Sequence, residues 1–306
     1  MSPTAPDLEV VLVAYRSAAL VERLLTDLPG LPVVVVDNAR GADGLADVVA
    51  RSPGARYLDG PGRGFASGAN AGARSSDRDV VVFVNPDSSP TAEQIRDLAA
   101  EVAADPGLGA VSATTVLPDG RVEIGVGGWE PTVRRALVHA VGAHKVLPTG
   151  GLWARPVPGR PLELDWLSGA CMAVRRETFL ALGGFDESFF VYNEDVAFGR
   201  SVREAGLRNR IRTDVLVPHL GGGSGEGKTR MLRLRGASLV RYVRRHNGAA
   251  TTLGVRAALT LGYGPRWLLA RARRRDALAA EHAAYVTGLW RGAPDHAPPA
   301  PVGSAR

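Results

Sequence analysis

Two apolar segments of the chain end in carboxylates that are placed to act on a ligand. The run VVVFVNPD at 80–87 closes with Asn85, Pro86 and Asp87, and Asp37 follows the apolar run 32–36. Such runs are typical of strands buried in a parallel sheet, and proline ends a strand because it cannot donate to the ladder. Ligands bind outside the carboxyl ends of these strands. We therefore expect Asp87 to face a ligand or its metal ion, and Asp37 either to contact a ligand or to begin a local turn.

A second acidic group follows the aromatic residues FFVY at 189–192, where Glu194 and Asp195 begin a predicted helix at 194–205. Acids in the first turn of a helix are favoured by the helix dipole by about 0.3–1 kcal/mol, so capping alone accounts for them. The alternative is that one acid faces a pocket as a general base, beside aromatic walls that reduce its hydration.

The glycine-rich stretch GPGRGFASGANAG at 60–72 has a composition that suits phosphate binding by backbone N–H groups at a helix start. The chain has neither a GxGxxG after its first strand nor a P-loop, which disfavours the ordinary dinucleotide and triphosphate folds. A nucleotidyltransferase would need a glycine-rich, lysine-bearing loop after the first strand, and residues 13–18 offer none.

Strand and helix signals alternate through the first half of the chain, which predicts an α/β fold with a mostly parallel central sheet flanked by helices. The predicted strands are 8–14, 32–36, 55–58, 79–84, 110–116 and 209–217, and the predicted helices are 20–28, 91–105, 176–182 and 194–205. Between 121 and 160 the periodicity is weak, as in a mobile loop or irregular hairpin. In this segment Trp129 and Trp153 belong either to a lid over a bound acceptor, which we favour, or to a small hydrophobic cluster outside the main core.

The net charge of +6 conceals a strongly basic C-terminal segment. Residues 228–275 contain thirteen Lys and Arg residues and no Asp or Glu, so the remainder of the chain is acidic on balance. A basic helical segment with apolar positions suits an anionic membrane surface, whereas the motifs and aromatic interleaving of nucleic-acid binding are missing. The alternative is a solvated basic face. We predict a flexible glycine loop at 221–227 and a disordered Pro/Ala tail at 291–306.

The single cysteine, Cys171, excludes an internal disulfide framework and a cysteine-built zinc site. No segment resembles a signal peptide, and no window holds eighteen uninterrupted apolar residues. We therefore expect a cytoplasmic location, peripheral to the inner face of the cell membrane if the basic segment binds lipid.

An ordered set of short motifs resembles the inverting glycosyltransferases of family 2, and most closely their bacterial rhamnosyltransferase branch. The resemblance runs from about 10 to 224, and each motif is weak alone. The motifs are Val13-Ala14-Tyr15, Val36-Asp37-Asn38, Gly64-Phe65-Ala66 with Asn70, Asn85-Pro86-Asp87, Trp166-Leu167-Ser168-Gly169-Ala170, Gly183-Gly184-Phe185-Asp186-Glu187, Tyr192 with Glu194-Asp195, and His219 before Gly222-Gly223-Ser224.

The resemblance implies a GT-A fold and a single displacement in which Asp195 activates an acceptor hydroxyl. Asp87 and His219 would hold Mg²⁺ or Mn²⁺ on the diphosphate of the donor, a nucleotide sugar such as dTDP-rhamnose. The acceptor would be a lipid-linked sugar, a growing saccharide or a small natural product. The donor-binding residues implied are Ala14, Tyr15, Asp37, Arg63, Gly64, Asn70 and Asp87, and the acceptor-binding residues are Trp166, Gly169, Ala170 and Glu194.

On this basis we predict a glycosyltransferase domain at 1–227, with a nucleotide-sugar half at about 8–120 and an acceptor and catalytic half at about 121–227. A basic helical extension follows at 228–290. The sequence departs from the family pattern at Asn85, which replaces the first acid of the DxD motif, at Arg16 and Arg63, which replace asparagines, and at Ala197, which replaces a second helical acid. Asn85 and Ala197 leave open a catalytically silent nucleotide-sugar-binding protein, and another donor such as a UDP-sugar also remains open.

Overall fold

A computed structural model gives the structure of the protein and describes residues 6–147, 149–160, 162–220 and 227–293. Ten strands are present in this part of the chain: β1 (Leu8–Ala14), β2 (Val33–Asp37), β3 (Ala55–Asp59), β4 (Val80–Val84), β5 (Leu108–Val116), β6 (Gly127–Gly128), β7 (Leu162–Leu164), β8 (Trp166–Leu167), β9 (Cys171–Arg175) and β10 (Arg208–Pro218). Eight of them form one sheet in the order β3-β2-β1-β4-β9-β5-β10-β7, and β6 pairs with β8 separately.

The sheet is mostly parallel, which confirms the predicted α/β architecture. β1 pairs in parallel with β2 and β4, β2 with β3, and β5 with β10. The exceptions are β9, which runs antiparallel between β4 and β5, and β7, which is antiparallel to β10. The valine-rich residues of β2 and β4 are buried throughout because helices cover both faces of the sheet.

Nine helices are seen in the described residues: α1 (Ala18–Asp27), α2 (Leu45–Ala50), α3 (Phe65–Ser75), α4 (Ala92–Ala104), α5 (Val133–Ala140), α6 (Arg176–Ala181), α7 (Glu194–Glu204), α8 (Lys228–Ala272) and α9 (Asp276–Arg291). The sequence predicts α1, α4, α6 and α7 to within two residues at each end. Thr91 caps α4 in a capping box with Gln94. The short α2 was not predicted, and α5 lies in the segment for which a loop or hairpin was expected.

The C-terminal helices share a core with α5 and α7. α8 contains a sharp break at Gly248, whose φ of 81° is outside the helical region. Leu239, Tyr242 and Leu259 of α8 lie in one buried cluster with Ala136 of α5 and Val196 of α7. The boundary predicted at 227 therefore stays a prediction, and the extension is not packed as an independent appendage.

None of the described helices is long and apolar enough to span a bilayer. The predicted glycine loop at 221–227, except for Gly227, and the predicted disordered tail from residue 294 onward lie outside the described residues.

Candidate active site

The carboxyl ends of β1, β2 and β4 meet at one edge of the sheet. Ala14 is opposite Asp37 in the register of β1 and β2, and both are fully buried, whereas Tyr15 is partly exposed. Asp37 accepts hydrogen bonds from the backbone N–H of Ala39 and Gly41, both at 2.7 Å, and from the Tyr57 hydroxyl at 2.8 Å. The bond to Ala39 confirms the predicted local turn. Contact of Asp37 with a ligand stays a prediction.

Gly64 brings the start of α3 against the segment that leads to Glu194 and Asp195. Its φ of 100° is in a region that favours glycine, and a Cβ there would overlap the carbonyl oxygen of Phe190. The N–H of Phe65 donates to the same carbonyl oxygen at 3.0 Å, and the Asn38 amide donates to the Gly64 oxygen at 2.8 Å. The predicted donor-binding residue Gly64 is thus also a point of close backbone approach.

Asn70 joins α3 to the turn after α6. The side chain is buried, and its oxygen accepts from the Phe185 N–H at 2.9 Å while its nitrogen donates to the Phe185 oxygen at 2.8 Å and to Glu187 at 3.1 Å. The exposed Arg63 also pairs with Glu187, at 3.2 Å. Both predicted donor-binding residues therefore contact the 183–187 turn, and their contact with a nucleotide stays a prediction.

Asp87 and His219 come together although 132 residues separate them in the chain. His219 Nε2 is 3.1 Å from Asp87 Oδ1, and its Nδ1 is 2.7 Å from Glu123 Oε2. Backbone hydrogen bonds fix the contact. The Leu220 N–H donates to the backbone carbonyl oxygen of Asp87, and the His219 N–H donates to that of Val116, both at 2.9 Å. Burial lowers the pKa of His219, but the hydrogen bonds to Asp87 and Glu123 outweigh it and raise this pKa to about 10.

Glu194 and Asp195 follow two strained residues. Tyr192 and Asn193 have φ values of 66° and 68°, which non-glycine residues seldom adopt, and α7 begins immediately afterwards at Glu194. Such strain persists only where the surrounding structure imposes it, and it is common at functional sites. Here α8 holds the preceding loop, since Ser238 donates to the Val191 oxygen at 2.9 Å.

The Glu194–Asp195 pair is held away from water. Burial raises the pKa of Asp195 to about 6, although its Oδ1 accepts from the Val196 N–H at 2.8 Å. Burial and the neighbouring charge of Asp195 raise the pKa of Glu194 well above its ordinary value. Glu194 Oε2 is buried and has no hydrogen-bond partner within the described part of the chain. A carboxylate with a pKa near 6 is ionised at neutral pH and more basic than an ordinary aspartate, as a general base requires.

Tyr192 lies within electrostatic reach of both acidic groups. Burial raises the pKa of its hydroxyl, and the negative charges of Glu194, Glu123 and Asp87 raise it further. All three carboxylates therefore lie within electrostatic reach of one side chain. The guanidinium of Arg235 lies 4.9 Å from the centre of the Tyr192 ring. The acids that follow β4 and those that begin α7 converge in the fold.

Comparison with known proteins identifies the family. The sequence profile described as "Glycosyl transferase family 2" matches residues 9–153. The N-acetylglucosaminyl-diphospho-decaprenol L-rhamnosyltransferase of Mycobacterium tuberculosis is 31% identical over 229 residues, which are 65% of this chain and 71% of that protein. The chain belongs to glycosyltransferase family 2. This membership makes it an enzyme of sugar transfer, a hexosyltransferase.

Two further similarities agree with this family assignment. The low-salt glycan biosynthesis hexosyltransferase Agl10 of Haloferax volcanii is 28% identical over 198 residues, which are 63% of this chain and 60% of that protein. The mannosyltransferase PcManGT from Pyrobaculum calidifontis, solved with GDP-Man and Mn²⁺, has a TM-score of 0.61 and 20% identity, with 94% of this chain and 88% of that chain covered. The second similarity confirms the predicted GT-A fold of the glycosyltransferase.

The residues around Asp87 fit the divalent cation that the resemblance implies. Mg²⁺ on a nucleotide is usually held by one or two carboxylates, with phosphates and water completing the shell. A histidine that ligates a metal commonly donates its other ring N–H to a carboxylate, and Glu123 takes that position at His219 Nδ1. Among the residues that the structure describes, no three His, Cys, Asp or Glu side chains converge as a complete metal site. The donor set thus suits a cation shared with a substrate diphosphate.

All four predicted acceptor-binding residues are buried. Trp166 is 6% exposed, and its indole N–H donates to the Trp129 oxygen at 3.3 Å. Gly169 and Ala170 precede β9, and the Ala170 oxygen accepts from the Asn85 N–H at 2.9 Å and from the Ser88 hydroxyl at 3.1 Å. They therefore fix the backbone that leads to Asp87, and acceptor contact by these residues and by Glu194 stays a prediction.

Sequence reasoning missed Glu123 and did not assign a role to Arg235. Glu123 lies in the weakly patterned segment, where the pairing of Val116 with Val122 and the hydrogen bonds of Glu123 with Thr115 place it beside His219. Arg235 was counted among the basic residues of the extension, yet it lies 4.9 Å from Tyr192 and 5.7 Å from Trp153. No local sequence signal distinguishes either residue, because long-range packing brings both to the site.

Proposed function

We propose that this glycosyltransferase transfers a sugar from a nucleotide sugar to an acceptor hydroxyl and inverts the anomeric centre. The proposed donor is dTDP-rhamnose. The transfer would serve cell-wall, polysaccharide or glycoconjugate biosynthesis. The observation that carries the proposal is that Tyr192 lies within electrostatic reach of Asp87 and of Glu194, the neighbour of Asp195, and that Arg235 acts on both Tyr192 and Asp195. The M. tuberculosis rhamnosyltransferase, whose name specifies rhamnose and a diphospho-decaprenol acceptor, supports this choice of donor and acceptor.

In the proposed mechanism Asp195 accepts the proton of the acceptor hydroxyl as that oxygen attacks the anomeric carbon. The partly buried carboxylate is ionised at neutral pH and weakly hydrated, so little solvent must be displaced before proton transfer. Burial and the charge of Asp195 raise the pKa of Glu194, and its buried Oε2, which has no hydrogen-bond partner among the described residues, can bond an acceptor hydroxyl. No carboxylate nucleophile is required.

The departing nucleoside diphosphate needs positive charge near Asp87. Asp87 and His219 are the residues that would hold Mg²⁺ or Mn²⁺, and Glu123 orients the His219 ring. A bound cation would offset the charge that develops on the leaving group. We propose that Tyr15 and Asp37 line the nucleotide at the ends of β1 and β2, and that Asn70 acts by holding the 183–187 turn.

The alternative of a catalytically silent nucleotide-sugar-binding protein rests on Asn85 and Ala197. Ala197 is 7% exposed and packs in the cluster that α7 shares with α8, where an acid would be costly. This packing supports Ala197 as a structural adaptation that leaves Asp195 in place. A silent protein would bind donor without hydrolysis or transfer, and Asp195→Asn would change neither result.

The deciding experiment is incubation of the full chain with a panel of dTDP-, UDP- and GDP-sugars, with and without Mn²⁺. Thermal stabilisation identifies the donor, and release of nucleoside diphosphate measures turnover. Under our proposal dTDP-rhamnose stabilises the protein most, and Mn²⁺ strengthens the effect. Preferential stabilisation by a UDP-sugar would contradict the rhamnose assignment, and binding without any turnover would support the silent protein.

We also propose that the turn between α8 and α9 rests on an anionic membrane, where a lipid-linked acceptor would be found. Leu261, Leu268 and Leu269 are 70%, 60% and 50% exposed, and exposed arginines follow directly at 271 and 273–275. Apolar side chains beside arginines suit insertion at the lipid interface. Each basic residue near such a surface contributes about 1 kcal/mol.

Vesicle binding by surface variants tests this proposal. Truncation after Gly227 is unsuitable, because it would expose the core that α8 shares with α5 and α7. Replacement of Arg273, Arg274 and Arg275 by Gln should lower the affinity for phosphatidylglycerol vesicles, measured by co-sedimentation, by about 100-fold. Affinity for neutral phosphatidylcholine vesicles should change little. The control removes three exposed arginines elsewhere, Arg23, Arg51 and Arg121. Equal loss in both triple variants would attribute the effect to net charge alone and contradict the proposed surface.

A further inference from the structure

Arg235 reaches the transfer site from α8, a helix that lies beyond the part of the chain matched by the family profile. Its guanidinium carbon is 4.9 Å from the centre of the Tyr192 ring and 5.7 Å from that of the Trp153 ring. Stacking on aromatic faces fixes the plane of a guanidinium and leaves its N–H donors at the edge. Arg235 is thus oriented before any ligand binds.

The positive charge of Arg235 acts on Asp195. It opposes the burial that raises the pKa of this carboxyl. Arg235 therefore lies within electrostatic reach of the proposed base.

The guanidinium of Arg235 forms neither a hydrogen bond nor an ion pair with the residues described in the structure. Two other arginines of the helix are engaged: Arg241 donates to the Ser188 oxygen at 2.7 Å, and Arg245 pairs with Asp186 at 2.6 Å. A partly buried cation whose N–H donors lack protein acceptors gains most from an anionic ligand.

The backbone opposite Arg235 leaves room for this side chain. Gly125 has a φ of 108°, and a Cβ there would be 3.4 Å from a terminal nitrogen of Arg235. A larger residue at 125 would compete for the space that the guanidinium uses. The side chain of Arg235 is therefore partly buried against Gly125, Tyr192 and Trp153.

We propose that Arg235 is a substrate-binding residue that takes the diphosphate group of a substrate, either the nucleoside diphosphate of the donor or the diphosphate of a lipid-linked acceptor. The inference rests on the proposed function, because sugar transfer from a nucleotide sugar brings a diphosphate to this cleft. A planar guanidinium donates two parallel hydrogen bonds to phosphate oxygens, which an ammonium group cannot do. Through Arg235, α8 would complete the substrate site.

The test is isothermal titration calorimetry of the full chain with dTDP, with thymidine and with geranyl diphosphate, each in the presence of Mn²⁺. We expect Arg235→Gln to weaken binding of dTDP or of geranyl diphosphate by about 10-fold or more, because a hydrogen bond to a charged group contributes about 1.5–3 kcal/mol. Thymidine carries no phosphate, so its affinity should be unchanged. The affected ligand identifies whether the donor or the acceptor supplies the diphosphate.

Two further variants separate ligand binding from folding and from net charge. Arg244→Gln removes an exposed charge from the same helix and should bind all three ligands as the wild type does. Arg235→Lys keeps the charge but loses the planar fork, and should bind the affected diphosphate with intermediate affinity. Wild-type affinity of Arg235→Gln for both diphosphates would overturn the inference and leave the proposed function standing. Failure of the wild-type chain to bind any nucleoside diphosphate would overturn both.

Discussion

The strongest test of the site is the substitution Asp195→Asn, which should stabilise the protein while it abolishes transfer. In the folded protein burial raises the pKa of Asp195 from 3.8 to about 6. The folded state therefore binds a proton more tightly than the unfolded chain does, and stability falls as pH rises between these two values. Above pH 6 the full cost of the buried charge, about 3 kcal/mol, is present.

An asparagine at 195 removes this cost and keeps the acceptor for the Val196 N–H. The variant should exceed the wild type in unfolding free energy by about 3 kcal/mol at pH 7.5 and by only about 1 kcal/mol at pH 4.5, where the wild-type carboxyl is protonated. Its transfer rate should fall by about 10²–10⁴-fold, the usual contribution of a general base. The assays are urea unfolding at the two pH values and product formation with saturating donor.

The alternative interpretation of Asp195 as a helix-capping acid predicts the opposite sign. Loss of a favourable charge in the first turn of α7 would destabilise the fold by about 0.3–1 kcal/mol. Asp47 provides the matched control, because it is an exposed acid in the first turn of α2, and Asp47→Asn should show that small loss. If Asp195→Asn behaves as Asp47→Asn does, with no pH-dependent gain, our reasoning about the buried base is refuted.

Three further substitutions test the parts that surround the base. Asp87→Ala should weaken donor affinity in Mn²⁺ but change it little in EDTA, and equal losses in both buffers would argue against a metal role. Gly64→Ala should lower the unfolding free energy by more than about 3 kcal/mol, because its φ of 100° and the overlap with Phe190 act together, whereas Gly120→Ala, with φ of 79° and open space, should cost about 1 kcal/mol. Arg245→Gln should slow transfer, because it releases Asp186 in the loop that precedes Asp195. The unfolding free energy should change by less than about 1 kcal/mol. The control Arg244→Gln should leave transfer unchanged.

Much of the sheet is predictable from the sequence because its central strands are buried on both faces. The prediction of 8–14 matches β1, and the valine runs locate β2 and β4 to within a residue at each end. The same signal fails at the short β6, β7 and β8, whose pairing depends on residues far away in the chain. α5 escaped prediction because glycine, proline and arginine around it obscure the apolar face that packs on α8.

The site was predictable only where a residue ends a regular element. Asp37 and Asp87 stand at the ends of the parallel strands that flank β1, so topology brings them to one edge of the sheet, and Asp195 stands at a helix start. Glu123 and Arg235 have no such position, and only tertiary packing carries them to the cleft. The basis for the prediction of His219 was the family resemblance, and the bridge between Ser88 and His219 is what places this histidine beside Asp87.

The basic C-terminal segment contains two sets of arginines that the sequence does not separate. One set lies before the break at Gly248, where Arg241 and Arg245 hold the loop that precedes Asp195. The other set follows Leu269 in the exposed turn between α8 and α9. The two sets should therefore affect different measurements.

Replacement of Arg241 and Arg245 by Gln should lower the rate of transfer to a water-soluble acceptor and leave vesicle binding unchanged, because these side chains bond to the protein. Replacement of the arginines at 273–275 should weaken vesicle binding and leave that rate unchanged, because no hydrogen bond or ion pair within the described residues joins these side chains to the acids. If the turn variant slowed transfer to a water-soluble acceptor, the turn would act on the catalytic site itself, and the separation of the two sets would be wrong.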